Sequence, residues 1–214
     1  MGALAAIRTA IAKELPTAIA MGVQVTTRLN QPLSGLRSVP LKDPSLPPVV
    51  LLHGFIAVAH HMRPWEEVFA NHATYSLGYA STGDGLETCT WVREQVLEIH
   101  RHHRQPVLLV GHSLGGLLIL AAASGLEDAV VKHCVTVCSP HGPATLPSGP
   151  LDSLRALAHA ASTEHVTTIA AEYDWVVPVA SAVLEDTEMV LVRNAGHLSV
   201  IRHPRTLKAL SELA

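Results

Sequence analysis

Short, nearly unbroken apolar runs alternate along this chain with longer stretches in which apolar positions recur every three or four residues. The runs are Val49 to Leu52, Ala73 to Gly78, Val107 to Val110, Val131 to Val137, Val166 to Ala170 and Met189 to Val192. They have strand length and are rich in Val, Ile and Leu. Strands apolar on both faces belong in a parallel sheet covered on both sides. The stretches between them predict helices near Met62 to Asn71, Leu86 to His103, Leu114 to Ser124, Leu151 to Ala161, Pro178 to Ala182 and Pro204 to Leu213. This strand–helix alternation predicts an α/β fold: a mostly parallel sheet with helices on both faces.

The first part of the chain reads differently. Leu4, Ile7, Ile11 and Leu15 follow helical spacing until Pro16, and Val23 to Thr27 has the character of an edge strand. Gln31 to Pro48 is rich in Pro, Ser and Gly and reads as a connector into the first core strand. With 214 residues and no internal repeat, the expectation is one domain over residues 1–214.

The strand Val107 to Val110 runs directly into Gly111-His112-Ser113-Leu114-Gly115 and out into a Leu/Ala-rich helical stretch. G-x-S-x-G between strand and helix is a nucleophile elbow. The sharp turn strains the tip residue and crowds its neighbours, so glycine is needed two before and two after. Ser113 is therefore the expected nucleophile, with the following helix aiming its N-terminal N–H groups at the charge that develops there.

A serine hydroxyl needs a base to activate it and a carboxylate to orient that base. Downstream, Asn194-Ala195-Gly196-His197 follows a predicted strand and Glu172-Tyr173-Asp174 ends another. His197 is the expected base, with His203 its competitor, and Asp174 the expected acid, with Glu172 and Asp186 the alternatives. Two backbone donors must hold the oxyanion. Leu114 N–H should be one, and the other should come from the loop His53-Gly54-Phe55-Ile56, through Phe55 or, failing that, Ile56.

Composition narrows the field further. Hydrophobic residues make up 48% and charged residues 15%, with a formal net charge of −3. No Lys/Arg block or basic surplus suggests nucleic acid, and no uncharged apolar run reaches the length of a transmembrane segment. Arg8, Lys13 and Glu14 interrupt the Ala-rich start, which disfavours a secretory signal, and Ala6 stands where myristoylation wants Ser or Thr. The expected location is cytoplasmic. Three cysteines read as buried thiols, since Cys134 and Cys138 on one strand lie too far apart to bridge. His100 to Arg104, the densest stretch of the fourteen histidines, suits a helix C-terminus, and no metal or cofactor is called for.

Val49 to Phe55, Val110 to Gly116, Cys138-Ser139-Pro140-His141-Gly142, Asp174 and Gly196-His197 together resemble the α/β-hydrolases, and among them the bacterial lipases and esterases. The resemblance implies a cofactor-free serine hydrolase acting on a small-molecule ester or lipid substrate through an acyl-enzyme. Acyl transfer to an alcohol, or a non-catalytic binding scaffold, are the alternatives. It also implies that Cys138 to Gly142, His141 included, lies beside the substrate pocket, with Trp175 and Val176 further pocket residues. Many relatives insert a helical cap after the strand that here ends at Val137. Only Cys138 to Pro150 intervenes, so a minimal cap and an open pocket are expected.

Overall fold

A computed structural model of the chain describes residues 35–39, 43–143 and 149–213. The expected N-terminal helix and the expected strand Val23 to Thr27 lie outside the described residues. In chain order the strands are β1 (Gly35–Val39), β2 (Val49–Leu52), β3 (Thr74–Gly78), β4 (Val107–His112), β5 (Val131–Val137), β6 (Val166–Ala171) and β7 (Glu188–Val192). The helices are α1 (Arg63–Val68), α2 (Gly85–His103), α3 (Leu114–Ala123), α4 (Gly149–His159), α5 (Val179–Ala182) and α6 (Pro204–Ser211). The strands form a single seven-stranded sheet in the order β1-β3-β2-β4-β5-β6-β7. β2 to β7 run parallel, and β1 closes one edge antiparallel to β3.

β1 corrects the reading of Gln31 to Pro48 as a connector alone, since Gly35–Val39 is a strand. The strand is short, one-sided and at a sheet edge, where Gly, Ser and Arg are tolerated, so its composition imitates a loop. The expected helix Met62 to Asn71 is also shorter than its pattern suggested. A 3-10 turn, Ala59–Met62, precedes α1, and the chain leaves the helix at Phe69, whose carbonyl accepts a hydrogen bond from Thr74 Oγ1.

Pleating explains how the apolar runs are used. Val50, Leu52, Val107 and Leu109 face one core, shared with α2, α3 and α4. Val49, Leu51, Leu108 and Val110 face the other, covered by α1 and α6 through Trp65, Phe69 and Leu210. All eight strand side chains are fully buried, each contributing roughly 1.5–3 kcal/mol by leaving water. Register then aligns the carboxyl ends of the strands: Leu52 pairs with Gly111, His112 with Val137, and Val137 with Ile169. Loops carrying His53, Ser113, Cys138, Asp174 and His197 therefore leave the sheet on the same side, where open parallel sheets hold their ligands.

Candidate active site

β4 continues through Gly111 and His112, and the chain turns into α3 at Ser113 with φ 53° and ψ −122°. A non-glycine residue at positive φ stores strain and persists only when its surroundings hold it. Here its N–H donates to the Val137 carbonyl at 2.8 Å. A Cβ on Gly111 would come within 2.5 Å of the Gly115 backbone, and one on Gly115 within 2.5 Å of the His53 carbonyl oxygen. Any side chain at either glycine would push the elbow off β2 and α3.

Ser113 Oγ lies 3.0 Å from His197 Nε2, and His197 Nδ1 lies 2.7 Å from Asp174 Oδ2. The other carboxylate oxygen accepts the N–H groups of Val176 and Val177 at 2.9 and 2.8 Å. Asp174 is thus an acceptor on both oxygens, which sets the Nδ1–H tautomer of His197 and leaves Nε2 free to accept from Ser113. The two loops are stitched together by Tyr173 N–H donating to the Ala195 carbonyl, while Trp65 Nε1–H anchors the 3-10 turn Ser199–Arg202 through Ile201.

The alternative residues are placed elsewhere. His203 caps α6, its Nδ1 accepting from Arg205 N–H. Glu172 is exposed and accepts from Asn194 N–H, and Asp186 stands in an exposed turn with φ 59°.

The loop after β2 presses against the nucleophile. A Cβ on Gly54 would meet Ser113 Cβ and His112 Nδ1, each at 3.0 Å. His53 is wholly buried and stacks on Tyr79 with ring centroids 4.3 Å apart. Its carbonyl accepts from the Tyr79 hydroxyl at 2.7 Å, and its Nδ1–H donates to the Gly54 carbonyl at 2.9 Å. Burial pushes this imidazole down to about 4, so it is neutral and acts as a prop. Ile56 N–H donates to Ser81 Oγ at 2.9 Å. The Ile56 amide is thus committed to Ser81, while the Leu114 N–H at the start of α3 has no intrahelical acceptor.

A model of the alpha/beta hydrolase family matches residues 49–176. The chain belongs to that family. It superposes on a monoacylglycerol lipase from Paleococcus ferrophilus with TM-score 0.64 and 14% identity, over 84% of this chain and 97% of the other. The Bacillus licheniformis lipase BlEst2 gives TM-score 0.68 and 16% identity over the same shares. A lysosomal thioesterase PPT2 homolog from Drosophila melanogaster is 31% identical over 101 residues, 44% of this chain. The chain spans about a third of that relative's length, 35%.

Within this alpha/beta hydrolase the expected pocket residues divide. Trp175 is 62% exposed and Val176 half-buried, both following Asp174 in the chain, and Phe55 and Ile56 are exposed on the loop after β2. His141 is buried, with Nε2 paired to Thr136 Oγ1 at 3.0 Å and its carbonyl accepting from His159. Burial pushes its imidazole to about 3. His141 thus pins the loop after β5 to the strand it leaves.

Two further residues enter the site in contacts that the sequence did not mark. His112, completely buried, donates from Nε2 to the His197 carbonyl at 2.8 Å. Burial, reinforced by the neighbouring His197, holds its imidazole well below the ordinary value. Cys138 Sγ lies with a His197 nitrogen and an Asp174 oxygen in a cluster whose ligand atoms are all within 4.8 Å of one another. Among the described residues this is the group that could hold a metal ion. Cys138 opens the segment that the resemblance sets beside the pocket, and its approach to Asp174 and His197 follows from β5 lying next to β6 in the sheet.

No helix among the described residues is long and apolar enough to cross a membrane.

Proposed function

We propose that the protein is a serine carboxylesterase or lipase that hydrolyses short- to medium-chain carboxylic esters. Ser113 attacks the ester carbonyl while His197 Nε2 takes its proton, and Asp174 stabilises the resulting imidazolium. Phe55 and Leu114 N–H groups hold the oxyanion. The imidazolium then returns its proton to the departing alkoxide. A water deprotonated by His197 attacks the acyl-Ser113 ester, and collapse releases the acid and restores the serine.

The observation that carries this reading is the unbroken chain from Ser113 Oγ to His197 at 3.0 Å and on to Asp174 at 2.7 Å, set on a positive-φ elbow. Support for an ester with an apolar acyl group comes from the exposed Phe55, Ile56 and Trp175 beside that serine-bearing edge. Family membership is consistent with several acyl chemistries. The thioesterase relative favours one second reading, in which the same acyl-enzyme is loaded from a thioester.

A panel of p-nitrophenyl esters from acetate to palmitate, run beside thioesters of the same acyl lengths, tests the proposal. Ester turnover that is greatest at short to medium acyl length is expected. Turnover of thioesters alone would transfer the function to the second reading, and turnover of neither would contradict both.

A further inference from the structure

We infer that the Cys138–Asp174–His197 cluster is an inhibitory binding site for a thiophilic divalent cation, with Zn²⁺ the ion its donors fit. Thiolate, imidazole and carboxylate are the donor types that zinc takes, and three protein ligands leave a fourth position for water. Compactness is the first argument: each residue offers one ligand atom, and all of these lie within 4.8 Å of one another. A tetrahedral ion with bonds of about 2.0–2.3 Å is reached from there by sub-ångström side-chain shifts.

The surroundings are already arranged for coordination. Asp174 Oδ1 is held by the Val176 and Val177 amides, so its second oxygen is aimed at the cluster. Cys138 is fixed by its N–H donating to the Ile169 carbonyl at 2.8 Å, with φ 50°. Such outer contacts orient metal ligands and raise affinity. The Asp174 side chain and Cys138 are fully buried, and the His197 ring is the member that reaches solvent, so the ion enters past that ring.

Charge balance is favourable in a buried site. Zn²⁺ displaces the thiol proton of Cys138, which leaves to solvent. The Nδ1 proton of His197 moves to Nε2 as Nδ1 becomes a ligand. One thiolate and one carboxylate then neutralise the ion, which limits the desolvation cost. The consequence for catalysis is direct, since a protonated Nε2 can no longer accept the Ser113 proton. Mg²⁺ and Ca²⁺, which prefer six or more oxygen ligands, should not compete.

The inhibitory half of this inference rests on the proposed function; the binding half does not, and the test separates them. Co²⁺ is titrated into the intact protein and the near-ultraviolet thiolate-to-cobalt band is followed. One equivalent should develop the band in the wild type and in Ser113→Ala, and Cys138→Ser and Cys138→Ala should both lose it, while Cys89→Ser keeps it. In parallel, micromolar Zn²⁺ should inhibit ester hydrolysis reversibly by EDTA. Half-inhibition should require at least tenfold more zinc in Cys138→Ser, each protein being referred to its own zinc-free rate. A band that survives in both Cys138 variants, or unchanged zinc sensitivity in Cys138→Ser, would overturn the site. Cobalt binding at Cys138 in a protein that hydrolyses no ester would leave the site standing and defeat the functional reading instead.

Discussion

His112 Nε2–H donates to the His197 carbonyl at 2.8 Å, so the residue just before the nucleophile holds the backbone of the residue facing it across the site. The two rings lie 4.8 Å apart at 49°, and β4 and the loop after β7 are joined at this point. In His112→Phe the His197 carbonyl loses its donor and the imidazole loses its fixed height above Ser113. A misplacement on the ångström scale costs on the order of 10²-fold in rate. We therefore expect kcat to fall by roughly 10- to 100-fold with KM little changed. His112→Gln, which keeps a donor, should recover most of the loss. Equal kcat values in wild type and His112→Phe would show that the contact is only structural.

Asp174→Asn should lower kcat by roughly 10³–10⁴ while preserving the fold, because an amide NH₂ turned to Nδ1 favours the wrong imidazole tautomer. Steady-state ester hydrolysis beside a circular dichroism melt checks both halves. Wild-type-like turnover would move the acid role to another carboxylate, although Glu172, which accepts from Asn194 N–H, and Asp186 both stand on exposed turns.

Acid should destabilise the fold through buried histidines. His53, His141 and His112 all have folded-state values lowered by burial, to about 4 for His53 and about 3 for His141. In the unfolded chain they protonate near about 6.5, so the unfolded state binds more protons between that value and the folded ones. Stability is complete above pH ~6.5 and is lost progressively as pH falls towards the lowered values. His53 and His141 together should remove roughly 4 kcal/mol between pH 7 and pH 5. Urea unfolding at pH 7, 6 and 5 measures this. A flat profile over that range would contradict the neutral, buried state of these rings.

Much of this arrangement was legible because core strands and elbows have strict local requirements. β2, β4 and β6 are uniformly buried, and β2 with the first four residues of β4 is purely apolar, while β6 buries Thr167 and Thr168 among its apolar residues. Gly111 and Gly115 have no room for a Cβ, and the motif announces it. β1 escaped because its residues, Gly35 to Val39, show no apolar run, and it is an edge strand paired with β3 alone. His141 lies in the segment whose resemblance to lipases puts it beside the pocket. Its hydrogen bond to Thr136 depends on how the loop folds back on β5, which spacing does not encode. The same holds for Cys138 and His112. Their partners, Asp174 and His197, arrive from distant parts of the chain through sheet register.

Substrate range should follow from how little chain separates β5 from α4, which end and begin at Val137 and Gly149. Such a segment is too short for a mobile helical lid of the kind that gates access. Phe55 and Trp175 are exposed, as expected of an open apolar cleft in which each buried CH₂ adds about 0.8 kcal/mol. Rates on p-nitrophenyl butyrate or tributyrin should saturate smoothly across the solubility limit. A sharp rise only once an interface forms would require a lid.

Covalent labelling tests whether Ser113 is the nucleophile. Incubation with a fluorophosphonate, followed by intact-mass and peptide mass spectrometry, should give one adduct per chain, located on Ser113, with loss of ester hydrolysis in proportion to labelling. Ser113→Ala should fold, take up no label and hydrolyse no ester. A folded wild-type protein that stays unlabelled, or a Ser113→Ala variant that still labels or turns over ester, would contradict the account.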